Sequence, residues 1–246
     1  RLATLGKVAN GIAHEINNPL GIILNRIECM EAEAAQTQVP DDVSRDLVAI
    51  RTQAERISRV TRSILTFSRG TVSTLKPLDV NCVARTCVAM AGERVATLSV
   101  RIESHLSPEL APAMGDRDRL ETVLLNLINN AIDAVVGFTN QGLVTLRTER
   151  LTVEGEDWVR ISVSDNGPGV PSTILDRIFD PFFTTKPAGQ GTGLGLFLSY
   201  GIVSDHRGRI EVRNESSGAA FDVYLPAVGC GAPAHEGVPW GLQEKF

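Results

Sequence analysis

From Leu5 to Ile57 the apolar residues recur at steps of three and four, interrupted once, at Thr37–Asp42, and Ile64 follows a further seven residues on. The first run is Leu5, Val8, Ile12, Ile16, Leu20, Ile23, Ile27, Met30 and Ala34; the second is Val43, Leu47, Ile50, Ala54, Ile57 and Ile64. Such spacing lines one face of a helix, so the segment predicts two amphipathic helices. The interruption holds Pro40, and Asp41 or Asp42 is suited to cap the second helix. Gly70 is the expected stop. Two helices joined by a short turn form an antiparallel hairpin, and one hairpin leaves much of its seam wet. Pairing of two copies into a four-helix bundle through residues 1–70 is the expected remedy; packing on the rest of the chain is the alternative.

Past residues 71–77, read as a linker, the texture changes. A helix over Asn81–Ala91, a strand over Thr97–Glu103 and a long helix over Asp116–Val136, capped by Asp116, are expected. Strands follow over Leu143–Arg150 and Trp158–Ser164, where Val159, Ile161 and Val163 alternate with polar neighbours. A loop-rich stretch (Asn166–Gly191), a helix over Gly193–Ser204 and a pair of strands (Ile210–Arg213 and Ala220–Leu225) complete the pattern. Residues 78–226 thus predict a mixed sheet with helices on one face, and the whole chain an α+β protein of two domains. The Gly- and Pro-rich residues 227–246 lack periodicity and read as a loose tail.

Composition narrows the function classes. A net charge of −5 argues against a generic nucleic-acid surface. No run approaches the roughly 20 apolar residues of a membrane span, and no signal-peptide pattern opens the chain. Cys29, Cys82, Cys87 and Cys230 form no CxxC pair and have no zinc-ligand spacing, which fits reduced thiols in a cytoplasmic setting. The chain begins with Arg rather than Met, so a fragment of a longer protein, without its N-terminal sensing part, is expected.

Four constellations carry chemistry. In Gly189-Gln190-Gly191-Thr192-Gly193-Leu194-Gly195 every second residue is glycine, which lets backbone N–H groups face an anion ahead of a helix N-terminus. The loop is neither a Walker A loop nor a dinucleotide GxGxxG. Asp165-Asn166-Gly167-Pro168-Gly169 ends a strand; its carboxylate could accept from an exocyclic amine, or the segment could be an ordinary turn. Asn126 and Asn130 share one helix face, and amide carbonyls suit Mg²⁺; Asn129 is offset, as a solvent-facing residue would be. His14 lies off the apolar seam, with Asn18 one turn away and Pro19 expected to kink the helix; HExxH zinc chemistry is excluded because position 18 is Asn.

In order and in content these segments resemble the sensor histidine kinases, over roughly Leu2–Leu225. HEINNPL resembles the phosphoacceptor box, LLNLINNAIDAV the N box, DNGPGV the first glycine box, FDPFFTTK the F box and GTGLGLFLS the second glycine box. The HEINNPL form is similar to the nitrogen-regulation and dicarboxylate-sensing branch. The resemblance implies a dimerisation and phosphotransfer hairpin followed by an ATP-binding domain of the Bergerat type shared with gyrase and MutL. It makes His14 the phosphorylated nucleophile, Glu15 its acid/base partner, and Asn18 the residue that positions water during dephosphorylation of a regulator. It makes Asn130 the Mg²⁺ ligand, with Asn126 beside the phosphates, and Asp165 the reader of the adenine amine. Gly167 and Gly169 would shape the adenine pocket. Gly191, Thr192, Gly193, Leu194 and Gly195 would form the phosphate side. Phe179, Phe182 and Phe183 would belong to a lid from which Lys186 reaches the phosphates. The implied cofactors are ATP and Mg²⁺, and the implied partners a second copy and the receiver domain of a response regulator. An ATPase of the gyrase kind would use the same nucleotide boxes but leave the acceptor box unexplained, and a nucleotide-gated scaffold or phosphatase-biased regulator would bind a receiver domain without efficient autophosphorylation.

Overall fold

A computed structural model of the chain describes residues 16, 19–32, 40–68, 75–153, 155–187 and 191–228. It is an α+β protein with a helical N-terminal region and a mixed-sheet domain.

The helical region comprises α1 (residues 19–32) and α2 (Asp41–Ser68). Among the described residues only alternate members of the apolar seams are covered. Leu20 and Ile27 on α1, and Leu47 and Ala54 on α2, are buried at heptad separation, whereas Ile23, Met30, Val43 and Ile50 are exposed. An ion pair between Arg51 and Glu31 (2.6 Å) ties the two helices at their polar margin. Among the described residues no helix is long and apolar enough to cross a membrane.

The second region is built from β1 (Lys76–Leu78), α3 (Val80–Val95), β2 (Val100–Leu106), β3 (Ala113–Gly115), α4 (Arg117–Val135), β4 (Gly142–Val153), β5 (Glu156–Asp165), α5 (Gly195–Asp205), β6 (Arg209–Asn214) and β7 (Ala219–Pro226). Five strands form one sheet in the order β2-β4-β5-β7-β6, with β2 and β4 parallel and the other pairs antiparallel. Period-two alternation sends Val144 and Leu146, Val159, Ile161 and Val163, and Val223 and Leu225 to the face covered by α3, α4 and α5. Helix α4 crosses the middle of that face, burying Leu120, Val123, Leu124, Leu127, Ile128, Ile132 and Val135. Burial this complete makes it the keystone of the domain, since each Leu or Ile truncated to Ala in such a core costs about 2–5 kcal/mol.

Local chemistry sets the ends of these elements. The Asp116 carboxylate accepts from the Arg119 N–H at 3.2 Å and caps α4, as the sequence predicts. The Asp79 carboxylate caps α3 through the Cys82 N–H at 3.0 Å. Buried His206 joins α4 to α5: its Nε2 accepts from the Asp116 N–H (2.9 Å), and its Nδ1 faces the Ile202 carbonyl (2.7 Å). That arrangement requires a neutral ring protonated at Nδ1.

Three differences from the sequence reading have clear causes. Helix α3 runs on to Val95 and then turns over residues 96–99, so the strand expected over Thr97–Glu103 starts at Val100. Strands β1 and β3 form a separate two-stranded pair of three residues each, too short for alternation to show, and β1 contains Pro77. The loop-rich stretch holds one 3-10 turn, Ser172–Arg177. Cys87 is buried, as expected of a core thiol, and burial together with the Glu121 carboxylate pushes it up to about 12.

Candidate nucleotide site

Helix α4 supplies the spine of the site. Asn126, Asn130 and Ala134 are spaced by four residues, so they form one row along the helix. Each member of that row touches a different segment of the chain.

At the first position, the Asn126 Nδ2 donates to Ser199 Oγ on α5 (3.0 Å). The first residue of α5, Gly195, lies so close that a Cβ there would overlap the Asn126 amide. Only glycine brings the positive end of α5 this near to α4, and that end is where a phosphate gains most. Thr192 shapes the approach, its Oγ1 accepting from the Leu194 N–H at 3.3 Å, and Leu194 itself is buried.

At the second position, Asn130 Oδ1 accepts from the Lys186 ammonium at 3.3 Å. Lys186 lies in the segment between Phe183 and Gly191. A Cβ on Gly191 would come within 3.2 Å of the Lys186 Cβ, so the glycine loop and this segment pack against each other. At the third position, the backbone carbonyl of Ala134 lies 3.0 Å from where a Gly167 Cβ would sit, which fixes the end of β5 against the last turn of α4.

Asp165 is the buried acid of the site. Its Oδ1 accepts from the Gly167 N–H at 2.8 Å, and the Ala219 N–H also bonds the carboxylate. Burial raises its pKa above the ordinary aspartate value, the two N–H groups oppose the shift, and Glu215 adds to it. Gly169 adopts φ +75 beside Asn214. Asn166 serves the frame: it accepts from the Leu143 N–H (2.7 Å) and donates to the Gln141 carbonyl (2.9 Å), locking β5 to the start of β4.

The three phenylalanines are not equivalent. Phe179 and Phe183 pack on the core, Phe179 against Tyr200 with ring centroids 5.7 Å apart and Phe183 under the Arg177 guanidinium at 4.9 Å. Phe182 is exposed and holds φ +67, a region costly for a bulky side chain. Its N–H donates to the Gly193 carbonyl at 2.8 Å, and Gly193, itself at φ +65, has no room for a Cβ against the Phe182 backbone.

The sequence-predicted nucleotide residues therefore meet around α4, with Asp165 and Gly167 at one end of the row and Gly195 at the other. His14, Glu15 and Asn18 lie outside the described residues. Sequence reading missed Ser199, which engages Asn126, and Asp133, which pairs with both Lys186 and Arg94. Asn129, read as solvent-facing, accepts from Arg94 at 2.5 Å. Asp133 stands three residues past Asn130 on the same helix, so its spacing was a usable signal.

The arrangement fits Mg-ATP. Close glycine approaches line the N-terminus of α5, a buried carboxylate offers an acceptor at the far end, and the Asn130 carbonyl oxygen already receives a cation.

Comparison with known proteins points the same way. The family described as "Histidine kinase-, DNA gyrase B-, and HSP90-like ATPase" matches residues 115–229, and the "His Kinase A (phospho-acceptor) domain" matches residues 4–71. The "C4-dicarboxylate transport sensor protein DctB" of Rhizobium meliloti is 34% identical over 225 residues, which cover 92% of this chain and 35% of DctB. The catalytic domain of histidine kinase ThkA is 30% identical with a TM-score of 0.55, covering 63% of this chain and 97% of that domain. ThkA in complex with the response regulator protein TrrA aligns over 93% of this chain and 63% of that one, at 27% identity and a TM-score of 0.64. Full-length ShkA in complex with AMPPNP covers 91% of this chain and 46% of that one, at 26% identity and a TM-score of 0.72. The chain spans between 24% and 47% of the length of the curated relatives it matches.

Proposed function

Because the chain belongs to the sensor histidine kinases, we propose that it uses Mg-ATP to phosphorylate His14 and then passes the phosphoryl group to an aspartate of a response-regulator receiver domain. The observation that carries the nucleotide half is the Asn126–Asn130–Ala134 row, on which the N-terminal part of α5 and two loops converge. The acceptor half rests on the phosphoacceptor match over residues 4–71 and on HEINNPL within it.

The residues divide the work as follows. Asp165 accepts from the adenine amine, and Gly167 and Gly169 let the ring approach. Backbone N–H groups of the Gly191–Gly195 segment and the N-terminus of α5 receive the phosphates. Asn130 would hold the metal through its Oδ1, with Asn126 beside it. When bound there, Mg²⁺ would supply positive charge against the charge that develops on the phosphates. The segment bearing Phe179, Phe182 and Phe183 acts as a lid, and Lys186 reaches the phosphates from it. An imidazole nitrogen of His14 forms a bond to the γ-phosphorus as the bond to the ADP oxygen breaks, while Glu15 orients the ring and accepts its proton. In the second step the P–N bond breaks and the receiver aspartate takes the phosphoryl group. Asn18 would hold a water for the reverse duty, hydrolysis of the phosphorylated regulator.

The hairpin would pair with a second copy through residues 1–70. Ile23, Met30, Val43, Ile50 and Ile57 stay exposed on helices where Leu20, Ile27, Leu47 and Ala54 are buried, and a four-helix bundle would cover them. The ThkA complex with TrrA supports a receiver domain as the partner.

Incubation with γ-labelled ATP tests the reading. Acid-labile, alkali-stable label on the protein that disappears in His14→Gln supports it. Phosphate release without labelled protein would support an ATPase of the gyrase kind instead, and nucleotide binding with neither would support a scaffold.

A further inference from the structure

Asp133 has no part in the reading above, yet it lies between two cations of different origin. Its Oδ1 pairs with Arg94 near the end of α3, and its Oδ2 pairs with Lys186 from the proposed lid. Arg94 also donates to Asn129 Oδ1, so the guanidinium spans one turn of α4 and fixes how the Asp133 carboxylate is turned. The Lys186 ammonium, held by Asp133 on one side, donates on the other to Asn130 Oδ1 at 3.3 Å. The carbonyl oxygen assigned to the metal thus already faces a positive charge. Asp133, Asn130 and Lys186 are all half-buried, where charges are less screened than at an open surface.

We propose that Asp133 is a positioning residue that holds the Lys186 ammonium on the Asn130 carbonyl, so that Lys186 and a divalent cation compete for one oxygen. This rests on the Mg-nucleotide reading of the site. One amide oxygen cannot serve an ammonium and a divalent ion together without strong repulsion. Metal entry therefore displaces Lys186 from Asn130 and turns a lid-borne cation loose beside the phosphates. The Arg94 grip keeps Asp133 in place while Lys186 leaves, so the lid segment is released by the arrival of metal and nucleotide together.

The signs of the effects separate this from simpler roles. A carboxylate that merely attracts metal would strengthen the gain in nucleotide affinity conferred by Mg²⁺, and its loss would weaken that gain. A carboxylate that pins a competing cation does the opposite. We would measure AMPPNP binding by calorimetry with and without Mg²⁺ for the wild type, Asp133→Asn, Lys186→Met and the double variant. The ratio of the two affinities should rise about threefold or more in each single variant, the scale of one partly exposed ion pair. The double variant should match Lys186→Met. A ratio that falls or stays level in Asp133→Asn would overturn the proposal.

Hydrogen exchange of residues 179–187 without nucleotide gives a second readout. Exchange should quicken in Asp133→Asn, and an unchanged rate would count against the latch. If the wild type binds no AMPPNP while exchange still responds to Asp133→Asn, the nucleotide reading fails and the contact stands as a plain lid anchor. If AMPPNP binds but neither the ratio nor exchange responds, the site reading survives and the competition does not.

Discussion

Helices α2 and α4 both place apolar residues at steps of three and four, but the structure uses the two patterns differently. In α4 the apolar residues wrap two adjoining faces, and Leu120, Val123, Leu124, Leu127, Ile128, Ile132 and Val135 are buried under the sheet, with Leu125 half-buried. In α2, Leu47 and Ala54 are buried, while Val43, Val48 and Ile50 are exposed. The polar residues complete the contrast. On α4 the row of Asn126, Asn130 and Ala134 faces the start of α5 and two loops, so one helix serves core and site at once. A helix with that double duty belongs to a self-sufficient domain, whereas α1 and α2 carry surface that asks for a second hairpin.

The largest effect that could break this contrast lies in the core. Leu124→Ala should destabilise the second region by about 2–5 kcal/mol in a denaturant titration, while Ile50→Ala in the hairpin should cost the isolated chain far less. Equal losses would remove the distinction. Next comes assembly. Ile50→Glu should shift the protein from dimer to monomer in sedimentation, because a charge in a helix seam is costly to bury, while AMPPNP affinity stays within about twofold, in line with surface changes remote from a site. A coupled loss of both would mean that the two regions are not separable.

Asp165 gives a third test. Asp165→Asn should lower nucleotide affinity about tenfold to a hundredfold, the scale of one buried hydrogen bond to a charged group. The pH dependence has a definite sign. Burial raises the Asp165 carboxyl, so nucleotide affinity should fall on acidification at a pH above that at which an ordinary aspartate would protonate. For folding, a raised acid favours the protonated form, and stability is lost as pH rises from the ordinary carboxyl value through the raised one. Asp165→Asn should therefore leave the thermal midpoint at neutral pH unchanged or higher, even as binding falls. The smallest effect belongs to the hairpin's Arg51–Glu31 pair: Arg51→Gln should cost less than about 1 kcal/mol, as expected of a partly exposed ion pair.

Much of this contrast was legible in the sequence, and for unequal reasons. The β5 alternation of Val159, Ile161 and Val163 gave that strand directly, and Asp116 marked the start of α4, because both signals are local. The glycine boxes announced a phosphate site because close backbone approach leaves few substitutes for glycine. The pairing of Asn126 with Ser199, and of Asp133 with Lys186 and Arg94, was hidden because it joins residues 39 to 73 positions apart whose meeting depends on the tertiary fold. The strand pair β1–β3 escaped because three residues cannot display a period. The division of the hairpin seam into buried and exposed halves also needed the structure, since Leu47 and Ile50 look alike in a periodic row.

The most direct test of the account is a calorimetric titration of Mg-AMPPNP into the wild-type chain and into Asn130→Ala. The α4 row predicts saturable binding near one nucleotide per chain in the wild type and loss of most of the Mg²⁺-dependent affinity in the variant. Equal Mg²⁺-dependent binding by both proteins, or none by the wild type, would contradict the claim that this row assembles the site.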